Sequence, residues 1–476
     1  MANSKEHIPP ASNSAGPHAD TLDMNISQVE GVGLAIVVLA LPVLGEQFCN
    51  ILVGLVDTFL AGRFLNKEAI AAVGIASYVS WLATMLSGFI GVGSTALVAR
   101  AVGAGDSQQA NRLANQSMGL AGFLGFAMML VLLILSSFLP QMLGLPAEAA
   151  AMTARYLRID AFGQFLYAYM LIGAACLRGA GDTRTPMLIM IGVNFVNVVV
   201  SVTLCLGLGP FPMLGVIGIA AGTVAARSLG GVVMLIVLYR GRTALKLNLP
   251  QMAFDHGIAR RIVNIGGPAG LDAVFMWTGH FIFLGFLTSV DADPEIGLAA
   301  SAAHMIGVRI ESFSYLPAMA WGIAAATLVG QALGAANPQR ARRIGHAAVL
   351  QLVPYALIVS GLYYFGAEFI YSFWSSDRMV QDQGVPALKL VAFAQPSLIF
   401  MIIYVSALRG AGDTRFPMLM NVLGIFCVRI PLAYTFGVVL KGGLFGAWIG
   451  MTSDLIFRSL LAAGRFTWGK WTGKEI

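Results

Sequence analysis

Apolar stretches longer than about 18 residues recur from one end of the chain to the other, and that length crosses a hydrocarbon core of about 30 Å. The runs are continuous, rich in Leu, Ala, Gly and Met, and lack the strict alternation of barrel strands. In lipid every backbone amide must be satisfied within its own segment or within a closed barrel, so the pattern predicts helices. Twelve are expected, at approximately 32–60, 69–93, 113–139, 150–176, 186–208, 214–239, 262–288, 297–325, 345–373, 386–408, 416–440 and 444–466.

The chain repeats itself. LRGAGDTRTPM at Leu177 to Met187 returns as LRGAGDTRFPM at Leu408 to Met418, a displacement of 231 residues (408 less 177). The same displacement carries ALVARAVGAGDSQQANR (Ala96 to Arg112) onto TLVGQALGAANPQRARR (Thr327 to Arg343), Gly215 onto Gly446 and Arg227 onto Arg458. Each copy holds six spans, an even number, so both enter the membrane with the same polarity. The expected fold is an all-α integral membrane protein of twelve transmembrane helices, in two six-helix bundles related by a pseudo-two-fold axis along the membrane normal.

This divides the chain into a disordered tail at 1–31, an N-lobe at 32–239, a linker at 240–261 that includes Pro250, a C-lobe at 262–466, and a second tail at 467–476. The first thirty residues are polar, contain Pro9, Pro10 and Pro17, and lack the short apolar core of a cleavable signal peptide. An interfacial turn is expected around Leu22 to Glu30.

Composition agrees. Of 476 residues 57% are hydrophobic and 11% charged, with a mean hydropathy of +0.78, and such a chain cannot coat a water-soluble surface of its size. The net charge of +6 could suit nucleic acid, but its distribution points elsewhere. One set of loops carries Arg100, Arg112, Arg178, Arg184, Arg240, Arg260, Arg340, Arg409 and Arg415, while the other carries fewer bases and the acidic Asp291, Asp293 and Glu295. The basic set is expected on the cytoplasmic side, with both termini, in a bacterial inner membrane. Cys49, Cys176, Cys205 and Cys427 have no CxxC or histidine spacing and read as reduced packing residues.

In the LRGAGDTR loops Gly-Ala-Gly allows a tight reversal, Asp182 or Thr183 can cap the next helix, Pro186 suits its first turn, and Arg178 and Arg184 sit at the interface. Ionisable residues inside spans are more informative, because each costs about 2.5–3.5 kcal/mol at a helix centre unless paired or wet. The candidates are Glu46, Asp57, Asp160, Arg227, Asp272, Glu311, Arg429 and Asp454. Asp454 and Arg458 stand at i, i+4 and can pair on one helix face. Arg309 and Glu311 are too close to face each other, and Arg429 is a candidate partner for Glu311. Asp57 has no base one turn before it; it is either a functional acid or an aspartate at the outer interface. Pro42 bends the same helix.

VDTFLAG at Val56 to Gly62, the duplicated GAGD-type loop after span two, the duplicated LRGAGDTR and the six-plus-six layout together resemble the multidrug and toxic compound extrusion family. The resemblance spans about residues 32–466 and implies cation-coupled export of cationic and amphipathic compounds by alternating access. It also implies a coupling site at Asp57, Asn197 and Thr223, holding either a proton or a sodium ion. Ser201 stands where many members carry a second aspartate, which shifts the expectation toward protons. Met276 stands where other branches carry an acid in span seven; Asp272 is the nearest acid, and its counterpart by proline alignment is Glu46.

Glu311, Asp272, Met276, Trp277, Tyr315 and Arg429, with Met85, are the candidates for a substrate cavity or a polar site in the C-lobe; ordinary helix packing is the alternative for the Met and aromatic members. A monomer without cofactor is expected, with small amphipathic or cationic substrates and the lipid bilayer as partners and no nucleic acid. The rivals are a flippase for a lipid-linked precursor, drawing on Arg227, Arg309, Arg429 and Arg458 for diphosphate, a channel, and a membrane enzyme, for which no HExxH, GxSxG or Walker A pattern is present.

Overall fold

A computed structural model describes residues 31–65, 67–241, 245–287 and 293–474. Of the expected tail at 1–31, residues 1–30, with the interfacial turn expected around Leu22 to Glu30, lie outside these residues, as does Asp291. Helices α1 (Val32–Phe64), α2 (Lys67–Gly103), α3 (Ser107–Met142), α4 (Ala147–Ala180), α5 (Arg184–Leu206) and α6 (Val216–Arg240) form the first lobe. The second contains α7 (His256–Leu287), α8 (Pro294–Gly334), α9 (Pro338–Phe365), the short α10 (Ala367–Trp374), α11 (Arg378–Ala392), α12 (Gln395–Gly410), α13 (Arg415–Val439) and α14 (Gly443–Trp468). Among the described residues ten of these helices are long and apolar enough to cross a membrane and α11 with α12 make an eleventh, bent span; α14, the repeat counterpart of α6, completes six spans' worth of helix in each lobe.

The repeat is visible in the local chemistry. Asp106 caps α3 by accepting from the Gln109 amide, and its repeat counterpart Asn337 caps α9 by accepting from Arg340. Asp182 Oδ1 accepts from the Thr185 amide at 3.0 Å, which starts α5.

Several spans differ from the sequence pattern: α2 and α8 run on to Gly103 and Gly334 rather than 93 and 325, and α3 starts at Ser107 rather than 113. The ninth span runs Pro338–Phe365 rather than 345–373, because Asn337 and Pro338 start it early and Gly366 separates off α10. The tenth starts at Arg378 rather than 386 and bends by 57° between α11 and α12. Pro396 lacks an amide hydrogen and its ring crowds the carbonyl four residues back, so the helix cannot run straight through. The seventh helix opens at His256, inside the expected linker, leaving a shorter connection with a 3₁₀ turn at Leu249–Met252. This connection docks on α3, where Asn115 Oδ1 accepts from the Asn248 amide at 2.7 Å and Arg112 pairs with Asp255 at 2.7 Å. In the eleventh span α13, residues Leu423–Arg429 and Tyr434–Val439 form wide π-helical turns, whereas its repeat counterpart α5 is a regular α-helix.

The two lobes meet chiefly through α1, α2, α7 and α8. At the face carrying the arginine-rich loops, called here the basic face, the contact is reciprocal. A Cβ on Gly103 would lie 2.0 Å from the Gln331 carbonyl oxygen, and one on Gly334 would lie 2.0 Å from that of Arg100. Glycine permits this backbone approach, and the two contacts are each other's repeat images about a pseudo-two-fold axis. Thr327 Oγ1 donates to the Arg178 carbonyl and Gln331 Nε2 to that of Gly179, both at 3.1 Å. Deeper in, Trp81 and Trp277 close edge to face at 4.7 Å between centroids. Large apolar side chains such as Phe123, Phe195 and Leu460 are exposed on the outer faces, where lipid tails solvate them.

The segment after α14 crosses this seam. Trp471 is fully buried, stacks on Phe466 at 4.6 Å and lies under the Arg342 guanidinium, which donates to the carbonyls of Thr467 and Gly469. Lys474 Nζ binds Asp413 at 2.8 Å, and Arg100 Nη1, from the first lobe, donates to the Lys474 carbonyl at 2.8 Å.

Candidate functional site

The first lobe holds two linked polar clusters. In one, Asp57 of α1 is 3% exposed and accepts from Thr223 Oγ1 of α6 at 2.7 Å. Asn197 of α5 places Nδ2 at 3.5 Å from Asp57, 3.0 Å from Thr223 and 3.4 Å from Ser201, one turn along α5. The four residues named from sequence therefore come together, and Asp57 is not an interfacial aspartate. Asn197 Oδ1 is buried without a hydrogen-bond partner, an acceptor left open beside the carboxylate.

The adjoining cluster surrounds Asp160 of α4. It accepts from Ser80 Oγ of α2 at 2.5 Å, Gln164 Nε2 at 3.3 Å and Arg227 Nη1 of α6 at 2.8 Å. The Arg227 guanidinium also lies over the Tyr167 ring at 5.0 Å. Asp160 is thus neutralised inside the protein. Among the described residues, no basic side chain lies within 4 Å of the Asp57 carboxylate. Thr223 and Arg227 share α6 one turn apart, so the unpaired acid and the paired acid are held by the same helix.

Ion pairs at the inner ends of both lobes are duplicated. Arg178 binds Glu46 at 2.8 Å, and its repeat counterpart Arg409 binds Asp272 at 2.5 Å. Arg178 therefore reaches into the lobe rather than serving the loop at the interface, and Asp272 is an ion-paired acid that also accepts from Asn421 at 2.9 Å. The proline alignment of Glu46 with Asp272 is thus an alignment of function within the fold.

In the second lobe Asp454 accepts from two guanidiniums, Arg458 at 2.7 Å and Arg429 at 2.8 Å. The i, i+4 pair expected on this helix is present, and Arg429 pairs with Asp454, not with Glu311. Gly424 makes room for the cluster: a Cβ there would lie 2.2 Å from Asp454 Oδ1 and 2.6 Å from the Arg458 side chain. Arg458 Nη1 also donates to Asn421 Oδ1 at 3.0 Å. Glu311 of α8 is partly buried and faces Gln395 Nε2 at 3.5 Å.

Of the apolar candidates, the structure brings Trp277 and Met85 together across the cleft, with the indole Nε1 at 3.4 Å from the thioether sulfur. Met276 is 42% exposed and Tyr315 packs against the second lobe's core, so neither joins them. Among the described residues no group of three or more His, Cys, Asp or Glu is placed to hold a metal ion. The four cysteines are free thiols.

Sequence reasoning missed the partners of the paired acids, Ser80, Gln164, Arg178, Arg409 and Asn421. The repeat could have found some of them, since Gln164 maps onto Gln395 and Ser80 onto Glu311 at the same displacement.

Two helical lobes packed about a pseudo-two-fold axis, each carrying buried charge, define a multi-pass membrane protein of the kind whose halves move against one another. The MatE family model matches residues 42–203 and 268–435, so the chain belongs to the MatE family. It is 30% identical over 451 residues to a probable multidrug resistance protein NorM of Thermotoga maritima, covering 94% of this chain and 95% of that one. A FAD transporter of Shewanella oneidensis is 26% identical over 80% of this chain and 82% of its own length. The fold matches that of an outward-facing multidrug resistance MATE family transporter of the MOP superfamily, with a TM-score of 0.85 at 23% identity over 96% of this chain and 100% of the other.

Proposed function

We propose that this protein is a secondary active efflux transporter, exporting organic compounds of cationic or amphipathic character in exchange for protons or sodium ions by alternating access. The observation that carries the reading is Asp57, a buried carboxylate held by Thr223 and Asn197 with no arginine of its own. Such a group needs a mobile cation to neutralise it. The family membership and the NorM relative support export of drug-like compounds.

The coupling step follows from the donors. Ionised Asp57 accepts from Thr223; protonated Asp57 becomes a donor itself, and the open Asn197 Oδ1 can receive it once the amide turns over. A sodium ion would instead take oxygen ligands from Asp57, Asn197 and Thr223. Ser201, in place of a second carboxylate, favours the proton. Either event rewires α1, α5 and α6 together and biases the tilt of the lobes, with the basic face toward the cytoplasm of a bacterial cell.

Dye efflux from proteoliposomes under an imposed proton or sodium gradient tests the reading. Asp57→Asn should abolish gradient-driven exchange, and full exchange by that variant overturns it. A flippase is not favoured, because Arg227, Arg429 and Arg458 are all engaged by carboxylates.

A further inference from the structure

The lobes differ by one buried charge. Three carboxylates are buried within the first lobe's helices, Glu46, Asp57 and Asp160, and two arginines engage them, Arg178 and Arg227. The second carries three, Asp272 engaged by Arg409, Asp454 engaged by both Arg429 and Arg458, and the partly buried Glu311, which faces Gln395 and has no basic side chain within 4 Å among the described residues, so the balance there is one of net charge and not of pairs. Asp413 lies at the basic face with its own partners, Arg465 and Lys474. Two of these arginines in each lobe are repeat images, Arg178 with Arg409 and Arg227 with Arg458. Arg429 is the addition. Its image in the first lobe is Val198, an apolar residue of α5 that is 39% exposed.

We propose that Arg429 is a resident cation, supplying in the second lobe the positive charge that a mobile cation supplies in the first, so that one lobe alone exchanges an ion in each cycle. This rests on Asp57 being the coupling acid and adds to it the reason that the second lobe is silent.

The backbone is built for the substitution. Arg429 closes the wide turn Leu423–Arg429, and wide turns shift the angular register of a helix; here they carry position 429 inward, whereas the regular α5 leaves Val198 exposed. Its Nε and Nη2 both reach Asp454 Oδ2, at 2.9 and 2.8 Å, while Arg458 occupies the same carboxylate from its own helix. Asp454 is the repeat image of Thr223, and Glu311 that of Ser80. The second lobe has thus moved its acids to new positions around an equivalent arginine and brought in a second guanidinium to balance them. The groups bearing on Glu311 are Arg429 from α13, Arg458 from α14, Gln395 from α12, Tyr315 from its own helix and Tyr363 from α9. Those bearing on Arg429 are Asp454, Arg458 and Glu311, with His280 of α7 and His304 of α8. Removing the Arg429 charge leaves three carboxylates against two arginines, the count found in the first lobe.

The test measures initial rates of ethidium efflux from proteoliposomes holding the full chain, as a function of proton and sodium concentration. Wild type is expected to respond with a Hill coefficient of about 1, Arg429→Gln with about 2, and the charge-balanced Arg429→Gln/Glu311→Gln double variant with about 1 again. Arg429→Lys keeps the charge and should keep the wild-type slope. A monodisperse, transporting Arg429→Gln with the wild-type slope overturns the proposal. Should Arg429→Gln not fold, Glu311→Gln decides: an unchanged slope supports a Glu311 that exchanges no ion during the cycle, and a reduced slope overturns the proposal. Asp57→Asn separates the two readings, since exchange surviving in that variant removes the coupling assignment itself, while its loss alongside an unchanged Arg429→Gln slope removes only the resident cation.

Discussion

Asp454 stands one repeat after Thr223, and the two side chains meet opposite charges: Thr223 donates to the Asp57 carboxylate at 2.7 Å, whereas Asp454 accepts from Arg429 and Arg458. The same position in two copies of one unit serves an unpaired acid in one lobe and a saturated ion cluster in the other. Thr223→Val preserves shape and removes the donor. A hydrogen bond to a charged group contributes about 1.5–3 kcal/mol, so gradient-driven efflux should fall by about tenfold or more while the protein stays folded, as measured in proteoliposomes beside a thermal unfolding scan. Wild-type rates would show that Asp57 does not depend on this contact.

Arg227→Leu strands Asp160, which is 1% exposed. Removing one partner of a buried pair costs about 3–5 kcal/mol. The unfolding temperature in detergent should drop sharply for Arg227→Leu and recover by more than half in Asp160→Asn/Arg227→Gln, where amide and amide can still bond. Equal losses in both would mean that the guanidinium matters for packing over Tyr167 rather than for charge.

These residues also mark what could be read from the chain alone. Length and polarity of the apolar runs gave the spans, and the 231-residue displacement gave the two lobes, because both are local or repeated signals. Asp57, Asn197 and Thr223 came through their motif context. The Asp160–Arg227, Glu46–Arg178 and Asp272–Arg409 pairs did not, since each joins helices more than sixty residues apart and a single sequence carries no record of such pairing. The wide turns of α13 were hidden as well: its composition is that of any apolar span, and only the burial of Arg429 required the altered twist.

Gly334→Val places a branched side chain where a Cβ alone would sit 2.0 Å from the Arg100 carbonyl oxygen. The lobes can then no longer close at the basic face. Distances between spin labels on the basic-face ends of α2 and α8 should lengthen, and transport should stall with the population shifted toward opening on that side. An unchanged distance distribution would show that the seam relaxes without parting.

Asp255 accepts from the Ile258 and Gly257 amides at the start of α7 and pairs with Arg112. These contacts hold its carboxyl below the ordinary value of 3.8, the Ile258 amide foremost. A folded-state value below the unfolded one means that the stabilisation is fully present above pH about 4 and is lost as the pH falls through the folded value. Asp255→Asn should therefore lower the unfolding temperature slightly at neutral pH, and the difference from wild type should vanish in acid. A difference that persists at low pH would assign the effect to shape and not to charge.

The strap formed by residues 469–474 is anchored in the second lobe by Trp471 and tied to the first through a main-chain contact, the Lys474 carbonyl accepting from Arg100. Any parting of the lobes on this side must release that tie while the tryptophan anchor stays seated. A fluorophore carried at position 473, where an added side chain meets open space, and quenched from α2 would consequently gauge the opening of the basic face in the working transporter, with the Lys474–Asp413 pair left in place.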